Sequence, residues 1–129
     1  MRDPERCEYS DEIEKGVRPL VEALNRCRNT RTFGSCQGHF GVQEPELLNS
    51  KCYVEFRMPR SKATKLKQAI YESVGVSRCK IEMDDYLPGD DAYFYGSIFI
   101  IPDENLEAKA QRRVADGMIN RITEIVTEL

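Results

Sequence analysis

The residues from Thr32 to Gly41, TFGSCQGHFG, hold the chain's only histidine, three of its eight glycines, and a cysteine three positions before the histidine. The imidazole of His39 donates, accepts and titrates near neutral pH. The thiol of Cys36 becomes a nucleophile or a metal ligand once its proton is lost. Gly34, Gly38 and Gly41 admit backbone conformations closed to other residues and let a ligand approach closely. Successive N–H groups in such a turn can form an anion-binding concavity. Thr32 and Ser35 add hydroxyls. Four readings of these parts stand open. The loop is a tight turn whose cysteine faces the core. Or it is a zinc site, for which the Cys-x-x-His spacing of Cys36 and His39 has no second pair, so that Cys7, Cys27, Cys52 or Cys79 would have to converge on it; no residue is assigned as a metal ligand on this spacing. Or Cys36 and His39 are a catalytic nucleophile pair, although no third orienting group can be named from the sequence. Or the loop binds a small polar ligand.

A family resemblance bears on the last reading. Thr32 to His39, TFGSCQGH, resembles the T-x-S-S-C-x-G-R signature of the wybutosine-synthesising methyltransferases that modify tRNA. The preceding VRPLVEALNRCRNTRTFGSC is similar to that family's passage from helix to strand into the motif. The resemblance implies an active-site region that uses S-adenosylmethionine, with Thr32, Ser35, Cys36 and Gly38 lining the site; Thr32, Ser35 and Gly38 are read as the cofactor-binding residues, and Cys36 and His39 as the catalytic ones. It covers about the first third of the chain. Gly34 stands where the family has serine and His39 where it has arginine, which exchanges a permanent planar charge for a titratable ring.

Two charged clusters lie further along. Arg57, Arg60, Lys62, Lys65 and Lys67 are basic; Glu82, Asp84, Asp85, Asp90 and Asp91 are acidic. Such runs are ordinarily solvated faces, but Arg57, Arg60 and Lys62 are placed to steer an anionic substrate, RNA or a small anion. The acids in MDDYLPGDD lack the spacing of a calcium loop. Tyr53, Tyr93 and Tyr95 can share a sheet face as a stacking platform for bases, or simply pack there.

The elements that must position these residues follow from periodicity. With 129 residues, 40% hydrophobic and 32% charged, the chain reads as one α+β domain, 1–129, with a loose lead-in over 1–10. Five cysteines at irregular spacing and no export signal favour reduced thiols and a cytoplasmic location. No apolar run reaches membrane-spanning length. The net charge of −3 does not favour nucleic acid globally.

Ile13, Val17, Leu20, Val21 and Leu24 form a helical stripe. It is capped at Ser10 or Asp11 and kinked at Pro19, or else it begins near Val17 with Pro19 in its first turn. A strand is expected over Thr30–Ser35 and an alternating one over Lys51–Met58. Next come a helix capped by Ser61 with Ala63, Leu66, Ile70 and Val74 inward, and a strand over Ser77–Met83. The fourth strand, Tyr93–Ile101, is apolar on both faces, as a central strand would be. Pro102 and Asp103 open the last helix, with Leu106, Ala110, Val114, Met118, Ile122, Ile125 and Leu129 inward and Ala115, Ile119 and Val126 widening the stripe. That width suits either core or a homodimer interface. The order α-β-β-α-β-β-α predicts a two-layer sandwich, a mostly antiparallel four-stranded sheet with helices on one face. No G-x-G-x-x-G or P-loop supports a doubly wound fold.

Overall fold

A computed structural model describes residues 13–40, 51–74 and 78–129. The expected lead-in, the caps at Ser10 and Asp11, Cys7, Gly41, the terminator Gly75 and the strand start at Ser77 lie outside the described residues, as does the side chain of Val74. The elements are α1 (Arg18–Arg26), β1 (Arg31–Cys36), β2 (Cys52–Pro59), α2 (Arg60–Val74), β3 (Cys79–Asp85), β4 (Tyr93–Pro102) and α3 (Ala108–Thr127). This is the α+β order the sequence predicts. No described helix is long and apolar enough to cross a membrane.

The sheet runs β1-β2-β4-β3 and every neighbouring pair is antiparallel. Its interior strand β4 is the one apolar on both sides. The chain leaves β2, crosses through α2 and returns as β3 on the far side of β4, which places β4 between two parallel strands. On β2, Cys52, Val54, Phe56 and Met58 are buried and the alternate residues are half-buried. The buried side meets Leu20 and Leu24 of α1, Leu66 and Ile70 of α2, and Ile119 and Ile122 of α3 in one apolar cluster. Each such side chain contributes roughly 1.5–3 kcal/mol on burial. The helices therefore cover one face and leave the other open.

Of the two readings of the first helix, the later start near Val17 holds, while the expectations for Ile13, the last helix and Ser61 are corrected. Pro19 falls in the first turn of α1, which starts after Val17, so the helix is not kinked; its missing N–H is one that has no partner there in any case. Ile13 consequently lies before the helix and is exposed. The last helix starts at Ala108, because Pro102 still pairs with Cys79 in the sheet and Asp103 turns the chain, accepting from Asn105 N at 2.9 Å. Its inner line is Gln111, Ala115, Ile119, Ile122 and Val126, with Met118 and Ile125 beside it and Leu129 exposed. The residues expected to widen the stripe thus form much of its centre. Gln111 can be buried because its Nε2 donates to Asp103 O at 3.2 Å. Ser61 is not a cap, since α2 follows Pro59 directly from Arg60.

Candidate functional site: a glutamate, cysteine and histidine cluster

Cys36 ends β1, and the loop after it folds back under the start of α1. Three backbone features fix that loop. Gly38 takes a positive φ of 87°, which favours glycine. Gly16 lets Gln37 come close: its N–H donates to Gln37 Oε1 at 2.7 Å, and a Cβ there would stand 2.6 Å from the same oxygen. From the other side, the Arg112 guanidinium of α3 donates to the carbonyls of Gln37 and Gly38 at 2.7 and 2.5 Å and lies 4.6 Å over the Phe40 ring.

This framing brings Glu14 to the loop. Glu14 precedes α1, its carbonyl accepts the N–H groups of Val17 and Arg18, and its Oε1 accepts the N–H of Gln37 at 2.9 Å. Its other oxygen, Oε2, stands 3.8 Å from His39 Nε2. Cys36 is 4% exposed, and its sulfur accepts the N–H of Gly38 at 3.4 Å. A carboxylate oxygen of Glu14, the Cys36 sulfur and a ring nitrogen of His39 lie within 4.8 Å of one another.

The arrangement discriminates between chemistries. In a nucleophile relay the imidazole stands between thiol and carboxylate, which separates those two by the ring and two hydrogen bonds. Here the three donors instead surround one point. Zinc bonds of about 2.0–2.3 Å place neighbouring ligands at roughly 3.5 Å, inside the 4.8 Å within which these three atoms stand. The N–H groups of Gln37 and Gly38 hold the Glu14 carboxylate and the Cys36 sulfur in place, as outer-shell hydrogen bonds do for metal ligands.

Comparison with known families, curated proteins and solved structures finds no match. The site is therefore read from its own residues.

Of the residues singled out in the sequence, Cys36, Gly38 and His39 come together. Ser35 lies one residue back on β1, paired with Val54. Thr32 does not join them; it sits at the other end of β1, where its N–H donates to Asn25 Oδ1 at 3.0 Å and its hydroxyl accepts from Asn25 Nδ2 at 3.0 Å. Nor do the three steering cations. Cys36 pairs with Tyr53, and Arg57 lies four residues further along β2, about 13 Å away at the rise of a strand. Its guanidinium lies 4.9 Å over Tyr93. Arg60 is committed to the β3–β4 turn: it pairs with Asp85 and donates to the carbonyls of Leu87, Asp90 and Tyr93. Lys62 lies in the first turn of α2, near Cys27.

The other described cysteines do not join the cluster. Burial pushes the Cys79 thiol up to about 11 and Cys52 well beyond its ordinary range, and it also raises Cys27. Glu14 is the member that sequence reading misses. It stands 22 positions before Cys36, and its charge reads as a favourable one near a helix start.

The open face of the sheet carries the tyrosines. Tyr53 lies 5.7 Å from Phe99, and Tyr95 lies between Tyr86 at 6.2 Å and Phe33, on which it stacks at 5.0 Å. Phe33 reaches that position as the extra residue of a bulge between Thr32 and Gly34.

Proposed function

We propose that the loop ending β1 is the ligand site of this protein and that the ligand is a divalent transition metal held by Glu14, Cys36 and His39. The observation that carries this reading is the convergence of three unlike donors from two separate segments within 4.8 Å. One sulfur, one nitrogen and one oxygen suit zinc, which accepts all three types in tetrahedral geometry. Three protein ligands among the described residues leave a fourth position for water or substrate, the pattern of catalytic rather than purely structural zinc. The partial exposure of the His39 and Glu14 side chains, 14% and 20%, suits such an opening.

A second reading has its own support. The signature-like TFGSCQGH implies S-adenosylmethionine-dependent tRNA modification, and the aromatic sheet face offers stacking surface of the kind that holds unpaired bases.

One measurement separates the two. Native mass spectrometry of untagged protein purified without chelator should show a mass excess of one zinc per chain. That excess should fall in Glu14→Gln, Cys36→Ser and His39→Ala. Zinc at about 100 times its Kd should stabilise the fold by about 2.7 kcal/mol, read as a rise in Tm. An excess matching S-adenosylmethionine or its demethylated product would favour the second reading. A bare mass, with a Tm indifferent to both zinc and chelator, would defeat the metal reading.

A further inference from the structure

We infer that the cleft beside His39 binds the phosphate group of a small phosphorylated molecule, in reach of the metal proposed above. The inference rests on that reading for its chemistry, but the cleft stands on separate observations. It is lined by Gly38, His39, Phe40, Lys109, Arg112 and Arg113, together with Ala108, and has a volume of about 580 Å³. That is the size of a pocket for a small molecule rather than a track for an extended strand.

Its charge is one-sided. Among the described residues three cations and the imidazole line it and no carboxylate does; Glu14 of the metal cluster stands behind His39. Two other clefts differ. The one on the other side of Arg112 includes Asp116, and the one at the β3 edge of the sheet sets Arg78 and Lys80 against Asp103 and Glu104. The three cations also have different duties. Arg112 is engaged by the carbonyls of Gln37 and Gly38, by Asp116 at 3.5 Å and by Phe40, so it forms the fixed wall. Lys109 and Arg113 are four residues apart on α3, and both project from one side of the helix. They are exposed, as groups that close on an arriving anion need to be.

Ala108 and Lys109, the first residues of α3, line the cleft, and Glu107 makes no side-chain cap to the N–H groups of that turn. Phosphate oxygens accept such donors in charge-assisted hydrogen bonds. The Phe40 face, held under Arg112, supplies an apolar wall for the rest of the molecule. A metal at Glu14, Cys36 and His39 would offset the charge of its two anionic ligands at the His39 end of the same cleft and would offer a phosphate oxygen its remaining position.

The test is a titration of zinc-treated full-length protein with inorganic phosphate and then with a mononucleotide. Amide shifts in the ¹H–¹⁵N spectrum give the position of binding, and zinc content is measured on the same sample. The expected result is that both probes shift the amides of Gly38, His39, Ala108 and Lys109. The nucleotide should also shift Phe40. Lys109→Ala/Arg113→Ala should weaken both by about tenfold or more, at unchanged zinc content and Tm. One zinc per chain with no shift at these amides, or with affinity unchanged in the double variant, would overturn the inference and leave the metal reading intact. Shifts at these amides in protein that takes up no zinc would do the reverse: they would support the cleft and defeat the metal reading.

Discussion

Gly38 links the backbone of the loop to its chemistry. Its positive φ turns its N–H onto the Cys36 sulfur and its carbonyl toward Arg112. A side chain here meets two obstacles. The conformation itself costs an L-residue about 1–2 kcal/mol, and a Cβ would stand 2.7 Å from the Phe40 ring. Phe40 can swing away, but only by leaving its place under Arg112. Gly38→Ala is therefore expected to lower stability by about 1–2 kcal/mol and to weaken zinc retention by loosening the sulfur's hydrogen bond. Gly89→Ala is the matched control. Its added methyl meets nothing within 4 Å, and its φ lies outside the left-handed region, so its stability should stay the same or rise slightly. Urea unfolding of the two variants beside the parent checks both. Equal effects would mean that the loop tolerates a side chain at Gly38.

At the scale of elements, the strands were readable because alternation is a local signal. Cys52, Val54, Phe56 and Met58 declare one buried side of β2 without reference to anything else. The start of α3 was less readable. Pro102 suits the first turn of a helix and the end of a strand equally, and only its pairing with Cys79 decides. The candidate site divides in the same way. Cys36, Gly38 and His39 are neighbours in sequence, so their residue types announce them. Glu14 is brought in by the packing of α1 against β1, and no local pattern encodes that. Arg60 shows the same limit. Its position suggests a steering charge, yet it fastens the hairpin between β3 and β4 by hydrogen bonds to Asp85, Leu87, Asp90 and Tyr93. Arg60→Ala should then speed amide hydrogen exchange at Tyr86 and Asp90, whose N–H groups bond within that turn. Exchange in α1 should not change, and neither should zinc content. Altered metal uptake with an unaltered hairpin would return Arg60 to a functional role.

For the whole molecule, the layered fold sets how stability responds to pH on the alkaline side. Helices on one face of the sheet bury Cys52 completely and Cys79 in part, and burial disfavours their thiolates. The ordinary thiol value is 9.0, and Cys79 is raised to about 11 in the fold, with Cys52 higher still. Below pH 9 the thiols are protonated in both states and add no pH dependence. Between 9 and 11 the unfolded chain releases these protons while the folded chain retains them, so the unfolded state gains and stability falls as pH rises. The urea midpoint should therefore decline across this window. Cys79→Ala removes one of the titrating groups without opening the centre of the core, so its decline should be shallower than that of the parent. Other alkaline titrations, such as the tyrosines and lysines, are common to both proteins and cancel in the comparison. Parallel declines would mean that Cys79 is as accessible to base in the folded protein as in the unfolded chain, and that the packing at the β3 end of the sheet is looser than the pairing of Cys79 with Pro102 requires.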